Sequence, residues 1–222
     1  MKEICKALRT RILLIQTPGS FRPDKLEDAH DFLGKIDRKG LVVVWETRGP
    51  SWDDPHVRER LAKLLRESNM SHVTDPYRAM PAYTSDVAYF RLHGLGERMY
   101  YHQFSDAELK RMHQLVEPLE AEGKQIYVLF NNLSMLDDAL RFMRYLENKS
   151  FPSLTGKVGL ESVKNVMEKT RYPTTKSLLL KKLGWRLIEV EEGKQVKLIE
   201  LLKDIPSKTY ASVEEVLREI KL

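Results

Sequence analysis

The sequence contains little cysteine and no long apolar run, and these absences exclude several classes of protein. One cysteine, Cys5, occurs among 222 residues, so no internal disulfide can form and a disulfide-stabilised secreted scaffold is excluded. No uninterrupted apolar run approaches the roughly 20 residues that a membrane-spanning helix needs. The first ten residues mix one acid with several bases and have no apolar core, unlike a signal peptide. We therefore expect a cytoplasmic protein.

Familiar cofactor and catalytic motifs are absent as well. The chain has no glycine-rich phosphate loop, no GxGxxG, no CxxC, no HExxH and no GxSxG. Its composition, with 42% hydrophobic and 31% charged residues, is that of an ordinary folded chain, and its length suits one average domain plus a small one. A functional site must therefore be found from the position of polar residues relative to the predicted strands and helices.

The net charge of +5 lies mainly near the C-terminus. Residues 151–222 hold 14 basic and 10 acidic side chains, whereas residues 1–150 hold 23 and 22. A surplus of this kind can attract a polyanionic partner, such as a nucleic acid. The alternative is a solvated helix face, since Lys and Glu alternate in this region. Both interpretations remain open.

The first 150 residues alternate short apolar runs with helical patterns. The apolar runs, which predict strands, are residues 12–15, 41–45, 71–74, 87–92 and 126–130, and the helical patterns are residues 26–36, 57–68, 107–122 and 135–147. Strands rich in Val, Ile, Leu and Phe between helices indicate right-handed βαβ units with parallel strands. About five units fit into 150 residues. The sequence thus predicts an α/β fold, as a five-stranded open sheet or as a partial TIM-type barrel.

Beyond residue 150 the pattern becomes helical. Residues 151–156 contain Pro and Gly and predict a linker, followed by a small basic helical domain over residues 157–222. Its predicted helices are residues 160–169, 175–183, 195–202 and 213–220, with an extended segment at 185–190. Thr174 and Ser212 are the predicted N-caps, and Gly184 is the predicted stop of the second helix.

Polar residues follow each predicted strand of the first region. They are Gln16, Glu46 and Arg48, Asp75, Arg91 and His93, and Asn131 and Asn132. Ligands in parallel α/β folds bind beyond the carboxyl ends of the strands, where such residues meet. Five strands that each end in polar residues therefore predict a site at one edge of the sheet.

The residue types at this edge suggest their chemistry. Arg48 and Arg91 carry fork-shaped donors that suit phosphate or carboxylate. Glu46, Asp75 and His93 are candidate catalytic residues, as acid and base or as ligands of a divalent metal, although the residues leave open whether any cofactor is bound.

Further candidates would orient a ligand. Asn131 and Asn132 can donate and accept hydrogen bonds, and Trp52 can stack on a ring. Simpler structural roles are possible: Glu46 pairs with Arg91 only to neutralise buried charge, a single His93 is a structural residue, and Asn131 caps the next helix.

The ordered segments WETRGPSW, VTDPY, VAYFRLHG and IYVLFNN resemble the YecE-like family, also called domain of unknown function 72. The matching residues are Glu46, Arg48, Trp52, Arg91, His93, Gly94, Asn131 and Asn132, with Gln16, Pro18 and Phe21 in the preceding QTPGSFRP segment. The resemblance covers about residues 1–147. It implies a TIM-type barrel whose activity is unsettled, with likenesses to metal-dependent nuclease and sugar-isomerase barrels and to nucleic-acid binding.

The resemblance covers only the C-terminal five-eighths of such a barrel. The glycine-rich first strand of the family and the strands after it have no counterpart. We therefore expect self-association or a second chain that completes the barrel; the alternative is a start codon assigned too far downstream. The segments RYPTTKSLLLKKLGW and LLKDIPSKTYASVEEVLREI loosely resemble a second small family, domain of unknown function 2795.

Two functions are expected from these observations. The first is an enzyme-like barrel protein whose strand-end pocket binds a phosphate-bearing or nucleic-acid-like ligand, as a metal-assisted hydrolase of the phosphodiesterase type or as an isomerase. The alternative is a non-catalytic binding or assembly protein whose helical tail is a partner-binding or DNA-binding module.

Overall fold

The computed structural model describes residues 2–38 and 40–222. The chain forms two compact units, of which the first extends to Leu92 and includes Met112–Leu129, and the second comprises His93–Arg111 and Phe130–Leu222. The elements are α1 (Lys2–Ala7), β1 (Ile12–Gln16), α2 (Leu26–Lys35), β2 (Val42–Glu46), α3 (Pro55–Glu67), β3 (Ser71–Val73), β4 (Val87–Leu92), α4 (Asp106–Ala121), β5 (Gln125–Phe130), α5 (Met135–Asn148), α6 (Leu160–Met167), β6 (Thr174–Thr175), α7 (Lys176–Leu183), β7 (Leu187–Glu191), β8 (Lys194–Lys197), α8 (Leu198–Leu202), β9 (Thr209–Tyr210) and α9 (Val213–Glu219). No helix in these described ranges is long and apolar enough to cross a membrane.

The strands of the first unit confirm the predicted α/β class. Strands β1, β2 and β3 pair in parallel and in chain order, with Gln16 opposite Glu46 and Glu46 opposite Val73. A parallel bridge between Thr74 and Phe90 leads on to β4, which is hydrogen-bonded to β5. Within the described residues these strands do not close on themselves, so a TIM-type barrel is not confirmed.

The two faces of this sheet bury different residues because side chains alternate along a strand. One face packs against α2 and α3 in a core that includes Leu13, Ile15, Val43, Trp45, Leu26, Leu33, Leu61 and Leu65. The other face carries a smaller apolar cluster of Val44, Val73 and Val87, with Ile12, Leu14, Val42 and Tyr89 beside it. The polar residues at the strand ends continue this second face.

The C-terminal part of the second unit is less helical than predicted. Its core, which includes Val163, Met167, Leu179, Ile188, Leu198, Tyr210 and Val216, is covered by helices α6 to α9 and by two antiparallel pairs, β6 with β9 and β7 with β8. The prediction of a helix from residue 195 is wrong, because Gly193, with a φ of 73°, reverses the chain into the β7–β8 hairpin and α8 begins only at Leu198. The predicted linker, residues 151–156, has no regular secondary structure.

The helix signals are partly confirmed. Ser212 caps α9, since its side chain accepts a hydrogen bond from the backbone N–H of Glu215. Thr174 does not cap α7, because it pairs with Tyr210 in the sheet, and Thr175 caps the helix instead. Gly184 ends α7 with an ordinary helical φ of −55°. A Cβ at Gly184 would lie 2.6 Å from the carbonyl oxygen of Leu180, so close packing requires glycine there.

Candidate functional site

Four predicted residues lie on one face of the sheet in the first unit. Gln16 and Glu46 end β1 and β2 as register partners, Arg91 lies near the end of β4, and Asp75 follows β3 two residues after Val73. Each continues the alternation that places Leu14, Val44, Val73 and Tyr89 on the same face. On this face of the sheet, the four polar side chains therefore lie at the strand ends, next to the apolar cluster of Val44, Val73 and Val87.

The carboxylate of Glu46 is the centre of this polar end. Its Oε2 accepts hydrogen bonds from Gln16 Nε2, at 2.9 Å, and from Arg91 Nη1. Its Oε1 accepts a hydrogen bond from Arg48 Nε at 3.2 Å. We call Gln16, Glu46, Arg48 and Arg91 the Glu46 cluster. Glu46 therefore forms the ion pair with Arg91 that the sequence suggested, and its second carboxylate oxygen forms an ion pair with Arg48.

The two arginines of the Glu46 cluster differ in burial. The side chain of Arg91 is 14% exposed and that of Glu46 is 7% exposed, whereas that of Arg48 is 45% exposed. Two guanidinium groups and one carboxylate give the four residues of the Glu46 cluster a net charge of +1. In the part of the chain that the structure describes, neither guanidinium has another protein partner. Their remaining N–H donors are free to bind an anion.

Backbone contacts fix the end of β1 against the end of β2. The N–H of Thr17 donates to the carbonyl of Glu46 at 3.2 Å, and the indole Nε1 of Trp45 donates to Thr17 Oγ1 at 3.2 Å. These bonds hold the backbone on either side of Gln16 and Glu46. The sheet itself therefore positions Gln16 Nε2, the donor, 2.9 Å from Glu46 Oε2, the acceptor.

Asp75 stabilises its own turn. It is buried, its Oδ1 accepts the N–H of Tyr77 at 3.2 Å, and its carbonyl accepts the N–H of Arg78 at 2.9 Å. This is the arrangement in which an aspartate side chain replaces a backbone acceptor in a turn. These two hydrogen bonds are those of a turn-forming residue.

Trp52 lies in the hydrophobic core of the first unit. Its ring is 2% exposed, stacks on Phe21 with centroids 6.4 Å apart, and packs edge-on against Trp45 at 5.7 Å. Its indole nitrogen donates to the carbonyl of Phe21 at 3.2 Å. Because every side of the ring is covered by the core, we leave Trp52 out of the proposed ligand contacts.

The other predicted site residues lie in the second unit. His93 and Asn131 are half-buried, and the His93 ring lies 5.9 Å from that of Tyr100. Asn132 is buried, and its Nδ2 donates to the carbonyl of His102 and to Asp138 Oδ2, both at 2.7 Å. Asn132 therefore belongs to a structural network.

The network around Asn132 contains buried charges that the sequence did not reveal. Asp138 Oδ2 also accepts the N–H of Phe104 at 3.3 Å, and Arg141 Nη1 donates to the carbonyl of Phe104 at 2.7 Å. Burial raises the pKa of Asp138 to about 6, although the hydrogen bonds from Asn132 and Phe104 and the charge of Arg141 lower it in part. The only available signal was the spacing of Asp138 and Arg141, one helical turn apart.

Two aromatic residues beside the Glu46 cluster were also missed. Tyr89 precedes Arg91 by two residues on the same face, and its ring stacks on that of Tyr127 with centroids 6.0 Å apart. Burial raises the pKa of Tyr89, the nearby charge of Arg91 lowers it, and Glu46 raises it, so the phenol lies within electrostatic reach of both. The period-two pattern of β4 and β5 could have identified this pair.

No metal centre is assembled by the residues that the structure describes. In residues 2–38 and 40–222, no group of three or more His, Cys, Asp or Glu side chains is placed to hold a metal ion. Metal binding by Glu46, Asp75 and His93 stays a prediction.

Comparisons with known proteins identify one family. A family model described as "Protein of unknown function DUF72" matches residues 2–157. A crystal structure of a DUF72 family protein from Enterococcus faecalis V583 is similar, with a TM-score of 0.52 and 23% identity over 68% of this chain. A second crystal structure of that protein has a TM-score of 0.48 and 21% identity over 71% of this chain. The chain spans 66% of the length of this relative in both comparisons. No curated protein matches the chain.

Proposed function

The chain belongs to the DUF72 family, whose function is unknown, and on this premise we propose that the Glu46 cluster binds a phosphate-bearing ligand. The observation that carries this proposal is the sharing of one carboxylate by two guanidinium groups at the end of the sheet. The match of the family model confirms the predicted resemblance for residues 2–157. The resemblance of the tail to a second family stays a prediction.

The charge of the Glu46 cluster favours an anion over a cation. Glu46 balances one of the two guanidinium charges, so the excess positive charge remains with Arg48, the more exposed arginine. A planar guanidinium can bind two phosphate oxygens at once, and an ionised donor and acceptor form stronger hydrogen bonds than neutral ones. Gln16 adds an amide that can contact the ligand. Arg48 and Arg91 are therefore the proposed phosphate-binding residues.

Binding is a better supported role than hydrolysis. A general base needs a carboxylate that is available to accept a proton from the reacting group. The carboxylate of Glu46 already accepts hydrogen bonds from Gln16, Arg48 and Arg91. Glu46 is thus suited to hold the arginines in position, and the stacked Tyr89 and Tyr127 offer a ring surface close to them.

Calorimetric titration with inorganic phosphate tests this proposal. Arg48→Gln should weaken phosphate binding by about tenfold, because one charged hydrogen-bond donor is lost. Arg60→Gln is the matched control, since Arg60 is also half-exposed and also pairs with a glutamate, Glu27, at 3.3 Å. Absence of phosphate binding by the wild-type chain at millimolar concentration, or equal losses in both variants, would overturn the proposal.

Self-association is a second candidate function, favoured by the outward face of α5. Leu136, Leu140 and Met143 recur at helical spacing and are 68%, 52% and 55% exposed, while Asp138 and Arg141 of the same helix are buried. An exposed apolar stripe of this kind is unusual in a monomer. The stripe is complementary to itself, since antiparallel pairing with a second copy sets Leu136 against Met143 and two Leu140 side chains near the axis. We therefore propose a second copy of this chain as its partner.

A further inference from the structure

Two arginines and two aromatic residues form a continuous row in the second unit. The guanidinium of Arg98 lies 3.3 Å from the centroid of the Tyr101 ring. Tyr101 contacts Trp185 edge-on, with centroids 6.0 Å apart, and the guanidinium of Arg186 lies 5.4 Å from the centroid of Trp185. The order along the row is therefore cation, ring, ring, cation.

The row lies at a surface that carries further positive charge. Tyr101, Trp185 and Arg186 are half-buried and Arg98 is exposed, so each retains solvent-accessible surface. Lys181 and Lys182, both exposed, lie in the last turn of α7 directly before Trp185. We name these six residues, Arg98, Tyr101, Lys181, Lys182, Trp185 and Arg186, the aromatic–basic surface.

Two groups of the aromatic–basic surface already have partners within the protein, namely the indole nitrogen of Trp185 and the guanidinium of Arg186. The indole Nε1 of Trp185 donates to the carbonyl of Lys182 at 2.8 Å, so its exposed surface offers stacking and not hydrogen bonding. Arg186 forms an ion pair with Asp137, with 3.7 Å between Nη2 and Oδ2. Arg98, Lys181 and Lys182 have no carboxylate partner in the part of the chain described. The net charge of the surface with Asp137 included is +3.

We propose that the aromatic–basic surface binds single-stranded nucleic acid. Cations contact the phosphates of a single strand, and its unpaired bases stack on aromatic and guanidinium planes. Both requirements are met by the row, in which two neighbouring rings, Tyr101 and Trp185, have an arginine at each end. A duplex hides its base faces, and the carboxylates that define an acidic peptide do not stack on rings, so neither ligand needs the aromatic half of the surface. Three of the 14 basic residues of the segment 151–222, namely Lys181, Lys182 and Arg186, lie in this surface.

Fluorescence anisotropy with a labelled 20-nucleotide oligo(dT) tests the proposal on the full chain. Trp185→Ala and Arg98→Gln should each weaken binding by about tenfold, whereas Trp185→Phe should retain most of the affinity, because stacking does not need the indole nitrogen. Arg66→Gln is the matched control, because Arg66 also covers a tyrosine ring, that of Tyr83 at 5.3 Å, and lies in the first unit. Affinity should fall steeply between 50 and 200 mM salt, with a logarithmic slope of about −2 to −3 for three to four phosphate contacts.

Tryptophan fluorescence provides an independent readout. Trp45 and Trp52 are each 2% exposed, so quenching by the oligonucleotide should come mainly from Trp185 and should disappear in Trp185→Phe. The proposal is overturned by absence of oligo(dT) binding at 50 mM salt, by equal affinity for a duplex of the same length, or by binding that Arg98→Gln and Arg66→Gln reduce equally. Binding to vesicles with anionic lipids but not to oligo(dT) would likewise overturn it.

Discussion

Glu46 and Arg91 form a direct ion pair between β2 and β4, which are not neighbours in the sheet. Neighbouring strands lie about 4.8 Å apart, so the pair bridges a gap of about 10 Å over the end of β3. Only a long side chain such as arginine can reach so far. This pair accordingly ties the end of β4 to the end of β2, and its loss should affect the fold as well as the ligand site.

Arg91→Ala should destabilise the protein by about 3 kcal/mol, because it breaks a largely buried ion pair and leaves the carboxylate of Glu46 in place. The double variant Glu46→Gln with Arg91→Ala should recover part of this loss, since the buried negative charge is then removed together with the arginine. Urea unfolding measures both values, with Arg60→Ala as the surface control. A loss below about 1 kcal/mol for Arg91→Ala would contradict the role of the pair in the fold.

Asp138 should make the protein less stable as the pH rises. Its pKa in the folded protein, about 6, exceeds the ordinary value of 3.8, so between pH 4 and 6 the folded state binds more protons than the unfolded state. The free energy of unfolding therefore falls through this window, by on the order of 2–3 kcal/mol. Urea unfolding of the wild type and of Asp138→Asn at pH 4 to 7 should give a difference that changes by this amount. A constant difference would contradict the prediction.

His72 should have the opposite effect in almost the same window. Burial, aided by the charge of Arg58, lowers the pKa of His72 to about 4. Its Nδ1 accepts the N–H of Ala82 at 3.1 Å and its Nε2 lies 3.0 Å from Thr47 Oγ1, a geometry that suits the neutral ring with its proton on Nε2.

Between pH 4 and 6.5 the unfolded chain binds more protons at His72, so its contribution to stability grows as the pH rises and is lost as the pH falls. His72→Gln should remove this contribution, on the order of 3 kcal/mol across the window. Titration of the His72 ring by NMR measures the pKa directly, and a midpoint near 6.5 would refute the prediction. In the wild type the effects of His72 and Asp138 should partly cancel.

Three of the four members of the Glu46 cluster could be predicted because a strand places each of them, whereas Arg48 lies beyond the end of β2. Once residues 12–15, 41–45 and 87–92 are strands, Gln16, Glu46 and Arg91 fall at or near their carboxyl ends on one face. Trp52 could not be placed in this way. It is the last residue of a short turn, Pro50–Trp52, and the path of that turn carries its ring into the core beside Phe21.

Contacts between residues that are distant in the sequence could not be predicted either. The bonds of Asn132 to His102 and Asp138 depend on how residues 30 and 6 positions away pack, which no periodicity encodes. The same limit applies to the row of Arg98, Tyr101, Trp185 and Arg186, whose two halves are more than 80 residues apart in the chain. Local patterns predicted the elements, and tertiary packing decided which polar residues meet.

Charge on the outer face of α5 should abolish self-association. In an antiparallel pair of α5 helices, Leu140 lies near the axis, so Leu140→Glu sets two carboxylates against each other in an apolar contact. Sedimentation velocity should show the wild type as a dimer at micromolar concentration and Leu140→Glu as a monomer with unchanged circular dichroism. Phe32→Glu is the control, because Phe32 is 56% exposed on α2 in the first unit. A wild type that sediments as a monomer up to about 100 μM would contradict the presence of a dimer. A Phe32→Glu variant that dissociates as much as Leu140→Glu would contradict pairing through α5.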